Sequence, residues 1–394
     1  MKTKKTSKRI YLDYAATTPV DKAVITCMLP YFNKNYGNSS SIHSMGVEAN
    51  KALEKSRNIV SKYLKCSPNE IYFTSSATES NNWALKGIAF ANKAKGKRII
   101  VSSIEHDCVL NSAKWLESQG FEIKYISVNK DGVVNINELK KLMNKDTILV
   151  SVMHSNNEIG TIEPIEEIGR LCKERGILLH TDASQSFGKM NLDVEKLNVD
   201  LLTASSHKIY GPKGAALLYV RKGVNIEPLI HGGGHERGKR SSTVNVPAIV
   251  GFAKALDICI KEMKTEDKRL IKLRNKVIKT ILKKIPQSYL NGHPVKRLSN
   301  NINLRFDFIE GEALMMELDD KGIEVSTASA CSSPKLESSH VLLACGIEKK
   351  EAQGTIRISL GRFTKDKDIE YLLEILPKAV KKLRVISPMN LKNC

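Results

Sequence analysis

The sequence predicts an α/β protein, a mainly parallel sheet with helices on both faces, joined to a smaller α+β unit. Three observations carry this. Between about residues 70 and 220, short β-branched runs alternate with helix-like segments, the spacing that strand–helix crossovers require. The polar residues of that region gather just past the apolar runs, where the carboxyl ends of parallel strands open onto a crevice. After residue 260 the texture changes to a long basic helix followed by mixed strand and helix patterns.

In chain order the strand candidates are "EIYFT", "RIIVSS", "EIKYISV", "TILVSVMH", "GILLHTDA", "DLLTASS" and "AALLYV". Between them, "ATESNNWALKGIAFANKA" and "PIEEIGRLCKERG" show amphipathic helical spacing. The stretch "HGGGHERGKRSST" is too flexible for a helix and too polar for a core. Its pair His231 and His235 has no carboxylate or cysteine at matching spacing, so no metal is expected there. Beyond it come the basic helix, the strand "NNINLRFDF", the helix "GEALMMELDDKG", a serine-rich stretch around Cys331, the strand "GTIRISLG" and a final helix. The expected organisation is a large unit over residues 16–260 and a small α+β unit made of 1–15 and 261–394, the latter carrying the Cys331 loop.

A hydrophobic content of 41% with 26% charged residues is that of a globular protein. No stretch approaches about 18 uninterrupted apolar residues. The N-terminal "MKTKKTSKRI" is basic but lacks an apolar core, so neither a membrane span nor a secretory signal is expected, and a cytoplasmic location is. The eight cysteines, Cys27, Cys66, Cys108, Cys172, Cys259, Cys331, Cys345 and Cys394, include no CxxC pair. That disfavours a zinc site or a disulfide framework and fits a reducing compartment. The net charge of +20 raises the question of nucleic acid. Ten basic against three acidic residues lie between Lys261 and Lys284 at helical spacing, with no aromatic platform or nucleic-acid motif among them. They read as solvated helix faces, with any RNA contact only indirect.

Several polar residues could do chemistry. Asp182, in "HTDASQS", follows an apolar run; alone it reads as a turn or cap aspartate. Lys208, in "SSHKIYGPKG", follows the next apolar run, 26 residues after Asp182. A strand-end aspartate and a strand-end lysine together are what a pyridoxal phosphate site needs, the first to hold the pyridine nitrogen protonated and the second to carry the Schiff base. "SSATES" ends a strand and opens a helix at Ala77 and Thr78, which presents free N–H groups to an anion or is simply an ordinary cap. Ser205 and His207 add side-chain donors beside Lys208. His106 in "EHDC" could stack on a flat cofactor and move protons, or hydrogen-bond a neighbour. Asn157 and Gln185 could contact a cofactor's phenolic oxygen. Arg357, within the apolar "TIRISLG", needs an anion, either a substrate carboxylate or an internal partner. Cys331, among serines and alanines, has the surroundings of a reactive thiol.

In order along the chain, "YLDYAATTPVD", "SSATESNN", "VMHSNNEIG", "HTDASQSFGK", "SSHKIYGPKG", "HGGGHERGKRSST", "SACSS" and "IRISLGRFT" resemble the motifs of cysteine desulfurases, over about residues 10 to 370. These are fold-type I pyridoxal phosphate enzymes of the class V aminotransferase family, and the likeness is to the nitrogen-fixation and iron–sulfur-assembly group. The resemblance implies removal of sulfur from L-cysteine, giving L-alanine and a persulfide on Cys331. It makes Lys208 the Schiff-base lysine, Asp182 the partner of the pyridinium nitrogen, and His106 the stacking residue and proton carrier. Ala77, Thr78, Ser205 and His207 bind the phosphate, and Asn157 and Gln185 the phenolic oxygen. Thr243 reaches the phosphate of the other subunit, which implies a homodimer. Asn38 and Arg357 hold the substrate carboxylate.

The expected acceptor is an iron–sulfur scaffold protein or another sulfur acceptor, with tRNA thiolation as a further outlet. With a scaffold partner, Cys331 could share a transient [2Fe–2S] cluster. The chain departs from the family pattern at Ser39, where proline is usual, and at Pro334 and Lys335 after the cysteine. The rival readings are a selenocysteine lyase and a non-catalytic sulfur-transfer scaffold.

Overall fold

All seven expected strand segments join one sheet, in the spatial order Ile71–Thr74, Ala216–Val220, Leu201–Ser205, Leu178–Asp182, Thr147–Ser151, Arg98–Ser102, Glu122–Ile126. The computed structural model describes residues 9–327 and 338–387, so Cys331, Pro334, Lys335 and Cys394 lie outside the described residues. From Leu201–Ser205 to Glu122–Ile126 every pairing is parallel. The strand Ala216–Val220 runs antiparallel to both its neighbours. Its connection back from Ser205 is too short for the crossover of roughly a dozen residues that a parallel partner requires.

Thr147–Ser151, Leu201–Ser205 and Ala216–Val220 are buried at every position, which is why each reads as an unbroken apolar run. Alternate residues feed two cores. Ile100, Val150, Leu179, Leu202 and Leu217 pack with Phe187 and Phe252 on one face. Ile99, Val101, Leu149, Leu201 and Leu218 pack with Trp83, Leu85 and Leu116 on the other.

A second sheet is antiparallel throughout, in the order Ser326–Thr327, Thr355–Ser359, Asn301–Phe306, Ser288–Leu290. The N-terminal strand Ile10–Tyr11 pairs in parallel with Ile323–Glu324. Leu12, Ile302, Leu304, Ile356 and Ile358 form a separate core with the helices Gly311–Asp320 and Asp366–Ile386. The helix Val246–Lys284 starts under an Asn245 cap with a proline in its first turn. Phe252 and Leu256 near its start pack in the first core, and Leu273, Val277 and Ile281 near its end in the separate one. The expected boundary at 260–261 falls inside this helix. Among the described residues, no helix is long and apolar enough to cross a membrane.

One buried ion pair ties the glycine-rich segment to the sheet edge. Arg57, on the helix Ser44–Leu64, donates through Nη2 to Glu236 Oε1 at 2.8 Å and through Nη1 to Oε2 at 2.9 Å. Both side chains are 2% exposed. Arg57 Nη1 also donates to the Ile71 carbonyl, while Glu236 Oε2 accepts the Phe73 N–H, so both charges keep their remaining bonds inside the protein. Breaking such a pair strands a buried charge, whereas replacing both partners by apolar groups does not. Glu236→Ala is therefore expected to lower the unfolding free energy by about 3–5 kcal/mol in urea titrations followed by circular dichroism. The double change Arg57→Met with Glu236→Leu is expected to cost less than either single one.

Candidate active site

The carboxyl ends of the parallel strands open into a cavity of about 460 Å³. Asp182 is the last residue of Leu178–Asp182 and pairs in register with Thr203 of the neighbouring strand. The chain leaves that neighbour at Ser205 into a 3-10 turn, Ser206–Lys208, closed by the Ile209 and Gly211 N–H groups on the Ser206 carbonyl. Tyr210 takes a left-handed φ of 66° to complete the turn. Gly211 passes so close that a Cβ there would sit 2.1 Å from Ser206 Oγ. This tight turn sets Lys208 in the cavity wall, with Nζ donating to the carbonyls of Ala15 and Ala16 at 2.7 Å each.

Asp182 is held from behind. Its Oδ1 accepts the Ser184 N–H at 2.8 Å, and its Oδ2 accepts from Asn81 Nδ2 at 2.6 Å. Gln185 donates through Nε2 to the Ala15 carbonyl at 3.0 Å, leaving Oε1 buried without a partner. Ser155 Oγ and Ser184 Oγ are buried without partners as well, and both residues line the cavity. Close by, Glu105 is fully buried; desolvation, then the charge of Asp182, raise its carboxyl well above the usual range.

The far wall is the start of the helix Ala77–Ala91. Ser76 caps it by accepting the Glu79 N–H at 3.1 Å, while Ala77 and Thr78 border the cavity with the first amides, which have no intrahelical acceptor. His207 lies opposite, its Nδ1 3.1 Å from Thr17 Oγ1. Burial, and then the cations Lys208, Lys213 and Lys189, push His207 down to about 4, so its ring is neutral above that. Arg357 enters from the second sheet. It is 3% exposed, donates to Asp13 Oδ1 at 2.9 Å and to the Asn157 carbonyl at 3.0 Å, and keeps Nε unpartnered.

Of the residues singled out in the sequence, Ala77, Thr78, His106, Asn157, Asp182, Gln185, Ser205, His207, Lys208 and Arg357 all line this one cavity. Asn38 and Thr243 do not. Asn38 is exposed and accepts the Ser40 N–H at 3.0 Å in a local turn, and Thr243 is exposed beside the glycine-rich segment. Cys331 lies outside the described residues. The structure adds Asp13, the Ala15 and Ala16 carbonyls, Asn81, Glu105 and Cys108. Asp13, Ala15 and Ala16 belong to the quoted "YLDYAATTPVD" and Asn81 to "SSATESNN", so those motifs held the signal without a role attached to each residue.

Residues 10–372 match the class-V aminotransferase family. The cysteine desulfurase IscS of Methanosarcina thermophila is 51% identical over 386 residues, covering 98% of this chain and 95% of that protein. The solved structure of a NifS-like protein superposes with a TM-score of 0.90 at 42% identity, covering 95% of this chain and all of that one. A structure described as SspA in complex with cysteine superposes with a TM-score of 0.79 at 36% identity, over 90% of this chain and 99% of that one. The chain therefore belongs to the class-V aminotransferase family, on its cysteine desulfurase branch.

Proposed function

We propose that this protein removes sulfur from L-cysteine, releasing L-alanine and retaining the sulfur as a persulfide on Cys331 for transfer to an acceptor. The observation that carries the reading is the meeting, in one cavity, of Lys208, Asp182 and the open start of the helix Ala77–Ala91. Pyridoxal phosphate fits that wall. A carboxylate lies in it, an amine is held at two carbonyls, and three buried polar atoms, on Ser155, Ser184 and Gln185, lack partners. Bound there, the cofactor supplies an electron sink for the bonds at the substrate's α-carbon.

The chain's own groups divide the remaining work. Lys208 is the amine that would hold the cofactor covalently, and Asp182 the anion that would keep its ring nitrogen protonated. Ala77, Thr78, Ser205 and the neutral His207 would bind the phosphate, joined by Thr243 from the second subunit of a homodimer. Asn157 and Gln185 would meet the phenolic oxygen, and His106 would lie against the ring and carry protons. Arg357, with Asn38, would hold the substrate carboxylate; its free Nε supports this, although Asp13 already neutralises part of its charge. The Cys331 thiolate would attack the substrate sulfur. The S–S bond forms as the substrate's C–S bond breaks, the electron pair stays with the substrate fragment, and proton uptake completes L-alanine.

Five other described cysteines support Cys331 in that role. Burial raises the thiols of Cys66, Cys108, Cys172, Cys259 and Cys345, with Cys66, Cys108 and Cys345 pushed up to about 12, which makes them poor nucleophiles at neutral pH. The persulfide would pass to an iron–sulfur scaffold protein in the cytoplasm, with tRNA thiolation a second outlet and a transient [2Fe–2S] cluster shared between Cys331 and the scaffold. The division into 16–260 and 1–15 with 261–394 belongs to the same reading, because it puts Cys331 on a different unit from Lys208.

Two outcomes test it. After brief incubation with L-cysteine, the Cys331 peptide is expected to gain the mass of one sulfur while alanine appears in equal amount. Alanine without sulfur on Cys331 would move the reading to a lyase, and neither product would overturn it. Arg357→Lys is expected to raise KM for L-cysteine about tenfold or more, the worth of one charge-assisted contact, with kcat within about twofold.

A further inference from the structure

One wall of the cavity links Asp182 to His106 through Asn81 and Cys108, two side chains to which the reaction outlined above gives no part. His106 caps the helix Asp107–Ser118, its Nδ1 accepting the Cys108 N–H at 3.2 Å. Cys108 Sγ lies 3.2 Å from the same nitrogen. Behind the sulfur sits Asn81, fully buried, whose side-chain amide donates to Cys108 Sγ at 3.2 Å and to Asp182 Oδ2 at 2.6 Å. The set therefore runs without a break from Asp182 to the His106 ring.

The direction of each bond follows from what each group can give. An amide –NH₂ only donates, so Asn81 donates to both the sulfur and the carboxylate. Burial first, and then the charge of Asp182, push the Cys108 thiol up to about 12, so the sulfur keeps its proton. Having accepted from Asn81, the thiol has its own S–H to direct, and His106 Nδ1 lies within reach. The backbone N–H of Cys108 points at that same nitrogen. Two donors converge on Nδ1; the backbone N–H cannot accept, and the thiol, already accepting from Asn81, is only a weak acceptor, so a proton on Nδ1 would be poorly placed against both.

We propose that Asn81 and Cys108 are positioning residues that hold neutral His106 with its proton on Nε2, so that the ring offers the cavity a hydrogen-bond donor and not a lone pair. This rests on the reading of His106 as a group that meets cofactor and substrate. In that state His106 stabilises negative charge developing on the substrate, and the base for the α-proton must be another group. Asn81 touches Asp182 directly and the His106 ring through the Cys108 thiol, so a shift at Asn81 reaches both.

The test is the tautomer itself, read in the holoenzyme from long-range proton–nitrogen correlation spectra of protein labelled with ¹⁵N in the histidine rings. The His106 signals are identified by their loss in His106→Gln. The expected result is a protonated Nε2 and a bare Nδ1 near neutral pH. In Cys108→Ala and Asn81→Ala, Nδ1 loses the thiol donor or its support; its protonated form becomes visible, and kcat for alanine release falls about fivefold, the worth of one neutral hydrogen bond. Cys108→Ser, which keeps a donor at the same place, is expected to restore both the tautomer and the rate. A proton on Nδ1 in the unaltered enzyme, or alanine variants whose ring signals match it, would overturn the proposal. If the tautomer responds as expected while no alanine forms from L-cysteine, the failure lies with the proposed reaction and not with the role of Asn81 and Cys108.

Discussion

The pairing of Leu178–Asp182 with Leu201–Ser205 is the constraint on which the site depends. His180 stands opposite Leu201, Thr181 opposite Leu202 and Asp182 opposite Thr203. Successive residues of a strand face opposite sides, so a slip of one position would send Asp182 to the other face and draw Thr181 into its place. The register is locked by burial: Leu179 and Leu202 feed one core, and Leu201 the other. With the register fixed, the turn after Ser205 needs only three residues to bring Lys208 to the wall that holds Asp182.

The second sheet and the N-terminal segment complete what the first sheet begins. The carbonyls that receive Lys208 Nζ belong to Ala15 and Ala16, and the carboxylate facing Arg357 to Asp13. The backbone N–H of Ala15 is fixed by Ser359 Oγ, two residues past Arg357 on the same strand. One short stretch, 13–16, thus touches the amine of the large sheet and the guanidinium of the small one. A displacement of either sheet would be felt at Lys208 and at Arg357 together.

Much of this was legible in the sequence, and the parts that were not share a cause. Five of the seven strands carry four or five buried residues in a row, and the edge strands Ile71–Thr74 and Glu122–Ile126 mix buried with partly exposed positions; in each case the signal is contained within its own segment. Lys208 and Asp182 were readable because each follows such a run directly. The antiparallel course of Ala216–Val220 follows from loop length, but the strand's own apolar pattern does not reveal direction. Arg357 presented two options, an internal partner or a substrate anion; Asp13 supplies the first, while an unpartnered Nε on a residue that lines the cavity leaves room for the second. That pairing joins residues at opposite ends of the chain, and nothing local announces it. Asn81 and Cys108 escaped for a related reason. On a helix face an asparagine and a cysteine read as packing, and their place between Asp182 and His106 exists only once the sheet brings the segments after three separate strands to one cavity. Asn38 and Thr243 mark the remaining limit, since neither reaches the cavity of its own chain.

The account stands most directly on Lys208 as the amine that carries the cofactor. The measurement is to load the protein with one equivalent of pyridoxal phosphate, reduce with borohydride, and locate the pyridoxyl group by peptide mass mapping. The account predicts the group on the Lys208 peptide, near one per chain, with the chain's other lysines unmodified. A pyridoxyl group on Lys189 or Lys213, or its scatter over the surface lysines with Lys208 unmodified, would contradict it.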